Sequence, residues 1–137
     1  MQKEFTKEEC GIFDSIETTV PNKDFSKLYY SSENKIFIYD MQANQLENYF
    51  TSNLNIKGGM IKLFPDQTTL GIVEEDGSNI IMLDTKSGNA YILSGHFDKI
   101  LDFTVSSDGK TLVSVSKDCS VRVWNLETKN CELILNK

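Results

Sequence analysis

Residues Ser94–Leu135, SGHFDKILDFTVSSDGKTLVSVSKDCSVRVWNLETKNCELIL, decide how this chain is read. Four short runs of strand-forming residues are divided by three turn signals. In Ile100–Val105, Ile100, Asp102 and Thr104 alternate with Leu101, Phe103 and Val105, the period of two that sends successive side chains to opposite faces of a strand. Ser107-Asp108-Gly109-Lys110 supplies the first turn, where Gly109 is free to take positive φ. Thr111–Ser116 is the second strand and Lys117-Asp118-Cys119 the second turn. The third strand is Ser120–Leu126, with Val121, Val123 and Asn125 opposite Arg122 and Trp124. Glu127–Asn130 turns the chain into a fourth strand, Cys131–Leu135. Short alternating strands with turn chemistry between them predict an all-β fold of antiparallel sheets.

The same pattern recurs upstream. Phe64-Pro65-Asp66-Gln67 falls on the first turn, Thr69–Val73 on the second strand and Asp76-Gly77 on the second turn. Ile80–Asp84 falls on the third strand, Lys86-Ser87-Gly88-Asn89 on the third turn and Ala90–Leu93 on the fourth strand. The spacings agree, since Asp66 to Asp108 and Asp76 to Asp118 are both 42 residues. A third copy is fainter. Leu28-Tyr29-Tyr30 reads as its second strand, Ser32-Glu33-Asn34 as a turn, Lys35–Asp40 as its third strand and Leu46–Phe50 as its fourth. Asp14–Val20 supplies the first strand, with Pro21-Asn22 turning after it. Thr6-Lys7-Glu8-Glu9 resembles a helix start and offers a competing helix over Thr6–Phe13. Met1–Gly11 is expected to fray or to fold onto a neighbour.

The last unit resembles a WD40 repeat, the blade of a β-propeller. It opens on Gly95-His96 and carries Trp124-Asn125 near its end, and the period lies near the roughly 40–45 residues of that family. The resemblance implies about three blades of four-stranded antiparallel sheet, an incomplete propeller. Blades are expected at about 14–50, 57–94 and 95–136, with residues 1–24 an N-terminal segment and first strand and 25–137 the partial propeller. Closed propellers need roughly four to eight blades, so the resemblance implies that the ring is completed by further sequence or by another chain. It also implies a buried hydrogen-bond relay from Asp118 through His96 to Ser114 (Ser116 second) and on to Trp124. The pairings are chemically sound: carboxylate with imidazole N–H, imidazole with hydroxyl, hydroxyl with indole N–H. Leu83 and Tyr39 stand where Trp124 stands, and neither earlier unit has a histidine, so those units must rest on apolar packing. Asn125 replaces the Asp that names the family, keeping a turn-forming side chain without the charge.

Composition narrows the function classes. The chain has 137 residues, a net charge of −6 and 39% hydrophobic residues. An acidic balance opposes the phosphate attraction behind nucleic-acid binding and adhesion to anionic lipid. No apolar run approaches the length of a membrane span, and MQKEFTKEEC lacks the apolar core of a secretory signal. Cys10, Cys119 and Cys131 are odd in number and show no metal-ligand spacing, as expected of free thiols in a reducing compartment. The protein is therefore read as intracellular, cytoplasmic or nuclear/nucleolar.

Little in the chain calls for catalysis. His96 is the sole histidine, and the relay already employs it. Ser, His and Asp occur together in the last unit, but a hydrolase triad needs an accessible serine. Glu8-Glu9 and Glu74-Glu75-Asp76 lack calcium-loop spacing and read as solvated charge. Gly58-Gly59 reads as a bend, and no phosphate-binding glycine motif occurs. No cofactor and no metal are expected. Tyr29, Tyr30, Phe37, Tyr39, Tyr49 and Phe50 crowd the first unit and are expected to pack between blades, a partner surface being the alternative. The resemblance implies a non-enzymatic scaffold for protein partners. Its candidate partner-binding loops carry Phe97, Asp98, Lys99, Lys117, Glu75 and Asp76. One alternative is a subunit of a nucleolar ribosome-assembly particle, the small-subunit processome, because Asp118–Trp124 looks like segments of its WD40 proteins. Another is a peptide-binding or enzymatic propeller fragment.

Overall fold

The computed structural model describes residues 16–32, 34–51 and 59–136. Twelve strands form three four-stranded sheets among them. The first sheet runs β1 (Ile16–Pro21), β2 (Lys27–Ser32), β3 (Lys35–Asp40), β4 (Gln45–Thr51). The second runs β5 (Met60–Leu63), β6 (Thr69–Val73), β7 (Ile80–Asp84), β8 (Ala90–Leu93). The third runs β9 (Ile100–Val105), β10 (Thr111–Ser116), β11 (Ser120–Asn125), β12 (Asn130–Asn136). In each sheet the strands are neighbours in chain order and all pairings are antiparallel. The competing helix over Thr6–Phe13 lies outside the described residues, as do Asp14 and Ser15 of the expected first strand.

Register makes the three sheets superimposable. Leu28 pairs Tyr39, Leu70 pairs Leu83 and Leu112 pairs Trp124, so these pairs occupy one position in three copies. The turn between first and second strands repeats as well. Phe25, Gln67 and Gly109 all have left-handed backbone, with φ of 59°, 63° and 73°. Only Gly109 carries no steric cost there. At the turn after the third strand, Asp40 Oδ1 accepts from Gln42 N and Ala43 N and Asp84 Oδ1 accepts from Lys86 N. Asn125 Oδ1 accepts from Glu127 N and Thr128 N. An amide oxygen serves as well as a carboxylate, because the turn needs only the acceptor.

Two apolar layers join the sheets in an arc. Tyr29, Ile36 and Ile38 of the first sheet pack on Ile61, Leu70, Ile72, Ile81 and Leu83 of the second. Phe64, Val73, Ile80, Met82 and Leu93 then pack on Ile100, Phe103, Leu112 and Trp124 of the third. Burial of each such side chain is worth about 1.5–3 kcal/mol. The second sheet is covered on both faces, which is why Ile80-Ile81-Met82-Leu83 is buried without alternation. The third sheet is covered on one face, and β10 and β11 alternate strictly.

Two expectations need correction. The even alternation expected in Ile100–Val105 fails, because Ser116 pairs Ile100 while Val115 pairs Asp102, leaving Leu101 extra. This bulge turns both Ile100 and Phe103 to the core and leaves Leu101 exposed. The first unit's aromatics divide between two faces. Tyr29 enters the layer between sheets with Phe50 against it, whereas Tyr30, Phe37 and Tyr49 form a ladder on the opposite face, with ring centroids 5.1 and 5.8 Å apart. Tyr29 and Tyr30 are sequence neighbours on one strand and so cannot share a face.

Candidate functional site

The turn between β10 and β11 is tied to the segment that enters the third sheet. Asp118 sits on this turn, and Cys119 after it holds φ of 68°. Asp118 Oδ2 lies 2.8 Å from His96 Nδ1 and accepts the Phe97 N–H at 3.0 Å. His96 Nε2 lies 2.7 Å from Ser114 Oγ. The Trp124 indole N–H donates to that same oxygen at 2.9 Å. Direction follows from these partners. Nδ1–H donates to the carboxylate, Nε2 accepts the Ser114 O–H, and Ser114 Oγ accepts from Trp124, so each donor in the chain meets one acceptor in its proper sense. Ser116 stands outside this chain of bonds. It donates to Asp98 O at 2.9 Å and accepts the Asp118 N–H at 3.1 Å.

Ser120 is a member that sequence reasoning missed. Its hydroxyl donates to Asp118 Oδ1 at 2.6 Å and lies 3.2 Å from His96 Nδ1, and its N–H reaches the same carboxylate oxygen. The available signal was Asp-x-Ser at a turn, the spacing at which an Asp side chain meets the backbone two residues on. Burial pushes the Asp118 carboxyl up. Hydrogen bonds from Ser120, the Phe97 N–H and His96 outweigh it and hold the group well below the usual carboxylate range. The site has the atoms of a Ser/His/Asp hydrolase but not its access. Ser114 is wholly buried and its hydroxyl is engaged on both sides.

The candidate loops converge on one end of the sheets. Ile100 N bonds Gly77 O, and Lys117 N bonds Lys99 O. Lys99 Nζ lies 3.1 Å from Asp76 Oδ1. The loop carrying Glu75 and Asp76, the loop carrying Phe97, Asp98 and Lys99, and the turn carrying Lys117 thus form one continuous surface. All of these side chains but Lys99, which is half-buried, are exposed. Phe97 stands 89% exposed, with the Arg122 guanidinium 5.9 Å from its ring centre. Gly95 leaves the room for that arginine, since a Cβ there would lie 2.5 Å from Arg122 Nη1.

A groove of about 390 Å³ opens between the second and third sheets at the other end, lined by Asp66, Asp84, Tyr91, Gly109 and Lys129 among others. Its carboxylates already serve turns, Asp66 through Thr68 N and Thr69 and Asp84 through Lys86 N. Among the described residues no group of three or more His, Cys, Asp or Glu is placed to hold a metal. Cys119 and Cys131 are free thiols, and no helix among those residues is long and apolar enough to cross a membrane.

Comparison with known proteins agrees with this geometry. The family model described as "WD domain, G-beta repeat" matches residues 88–125. Human striatin-3 is 29% identical over 100 residues, covering 69% of this chain and 12% of that protein. Human WD repeat-containing protein 36 is 26% identical over 98 residues, covering 72% of this chain and 10% of that protein. The chain thus spans only a small part of the curated relatives it matches. Among solved structures, the RRP9 WD40 repeats superpose with a TM-score of 0.71 at 18% identity, over 90% of this chain and 39% of that one. U3-55K superposes equally well at 19% identity. The chain thus carries a WD40 repeat over residues 88–125, running into its third sheet, with two like-ordered sheets stacked beside it.

Proposed function

We propose that the chain is a non-enzymatic scaffold that holds protein partners within a larger intracellular assembly. The observation that carries this reading is the end surface where three loops from two blades are cross-linked by backbone hydrogen bonds, with Phe97 standing 89% exposed at its centre. A rigid sheet array presenting such loops suits recognition. An exposed aromatic beside mixed Lys and Asp side chains suits a protein surface. The buried relay consumes the chain's one histidine and so favours binding over catalysis. The net charge of −6 disfavours a nucleic-acid partner.

The test is affinity purification of the tagged protein with quantitative mass spectrometry, comparing wild type with a Phe97→Ala, Lys117→Ala variant of unchanged melting temperature. A defined set of proteins should co-purify with wild type and be lost from the variant. An identical set from both would overturn the assignment of this surface. The ribosome-assembly alternative predicts sedimentation with nucleolar pre-ribosomal particles, and fractionation of the tagged protein decides it.

A further inference from the structure

Arg122 is the only arginine among the chain's 14 basic residues. It sits on β11 between Ser120 and Trp124, on the face that alternation turns inward, and is 9% exposed. Ser120 and Trp124 are both tied into the relay. Arg122 is not: among the described residues no carboxylate or carbonyl meets its guanidinium, and its Nε is closed off without a hydrogen-bond partner. Lysines nearer solvent are better served. Lys27, Lys62, Lys99 and Lys110 reach Glu47, Asp102, Asp76 and Glu127. Such surface pairs add little to stability, whereas a buried cation without an acid is costly, and an arginine side chain stays charged in a protein.

The surroundings keep the group within reach of a partner. Of its three nitrogens only Nε is closed off. Nη1 lies against the backbone at Gly95, where a Cβ would come within 2.5 Å of it. The Phe97 ring, 89% exposed, has its centre 5.9 Å from the guanidinium carbon. A guanidinium with two unpaired nitrogens is a fork for a carboxylate. It carries a single charge, while the Asp118 carboxylate holds the Phe97 N–H and exposed Asp98 follows in sequence. A doubly charged phosphate is therefore opposed where one carboxylate is neutralised. We propose that Arg122 anchors a partner protein through one Asp or Glu side chain, with Phe97 covering the ion pair and keeping water from it. Contacts that exclude water are what make such a buried anchor strong. The inference rests on the scaffold reading and names the chemistry its surface recognises.

The full chain is titrated with an acetylated, amidated Gly-Leu-Glu-Leu-Gly peptide, whose one charge is the glutamate. The reporter is the Arg122 Nε–H correlation in nitrogen-15 NMR, unambiguous for a sole arginine. It should shift saturably, and the peptide should bind roughly tenfold more tightly than its Gln counterpart. No saturable shift, or equal shifts with both peptides, would overturn the proposal. Tighter binding of the same peptide with phosphoserine in place of glutamate would overturn the choice of a carboxylate. Arg122→Met keeps the apolar stem and removes the stranded charge, so its melting temperature should equal or exceed that of wild type. The preference for the glutamate peptide, read at the Phe97 amide, should disappear in that variant. A lower melting temperature would make the arginine a structural member and overturn its role as an anchor. In the co-purification experiment, a partner set lost from Phe97→Ala, Lys117→Ala but kept by Arg122→Met would leave the scaffold surface standing and remove this anchor. No partner set at all would remove the scaffold reading, and the titration still decides Arg122.

Discussion

Replacing Ser114 by alanine strikes the relay at its one shared atom. Ser114 Oγ receives the Trp124 N–H at 2.9 Å and meets His96 Nε2 at 2.7 Å, and the residue is wholly buried. Alanine fits the space but leaves an indole N–H and an imidazole nitrogen without partners. Each stranded buried group costs about 1–3 kcal/mol, so the variant should lose about 2–6 kcal/mol. For a chain of this size that is a fall of roughly 6–24 °C in melting temperature. The assay is urea denaturation followed by far-UV circular dichroism. Trp124→Phe and the double variant complete a cycle. Because both single changes break one hydrogen bond in common, the double variant should fall short of the sum by about 1 kcal/mol or more. A Ser114→Ala chain within about 0.5 kcal/mol of wild type, the ordinary effect of a neutral surface change, would refute the reasoning. So would strict additivity in the cycle.

Three further outcomes are expected. Gly71→Ala should destabilise by about 1–3 kcal/mol through overpacking against Phe103, whose Cε2 would lie 2.7 Å from the added Cβ, and Phe103→Leu in the same chain should recover part of it; thermal melts check both. Phe25, 66% exposed with φ of 59°, should gain roughly 0.5–1 kcal/mol on replacement by glycine, which relieves the left-handed strain; a lower urea midpoint would contradict this. Asp118 is held below its ordinary value when folded, so its stabilisation is fully present above the unfolded carboxyl pKa of about 3.9 and is lost as pH falls through the lower folded value. Wild type should therefore be more stable than Asp118→Asn at pH 6, and denaturation curves should show the gap narrowing below about pH 4. A gap that widens in acid would reverse the sign.

Where backbone periodicity and turn chemistry act locally, the sequence is a good guide. Strands β6, β7, β9 and β10 run as read, because Gly, Asp and Asn punctuate short apolar runs. The four relay residues were placed through family resemblance, and only coordinates separate Ser114 from Ser116. The two serines share a face of β10, and their different partners depend on how the turn Asp118 and the entering His96 meet across 22 residues of chain. The bulge at Leu101 was hidden because alternation looks regular until the partner strand is in place. The room that Gly71 leaves for Phe103 is likewise a contact between sheets, and nothing in TLGIV announces it. Of the first unit's aromatics, Tyr29 and Phe50 pack between sheets as expected, and Tyr30, Phe37 and Tyr49 do so on neither described interface, since adjacent tyrosines must divide between two faces of their strand.

The most direct test is proton NMR of the single indole, because Trp124 and His96 are each the only residue of their kind. The indole N–H resonance should exchange slowly with solvent and show nuclear Overhauser contacts to Ser114 and to the His96 ring. An indole proton exchanging at the rate of an unfolded peptide, with no contact to the imidazole, would contradict the stacked-sheet account.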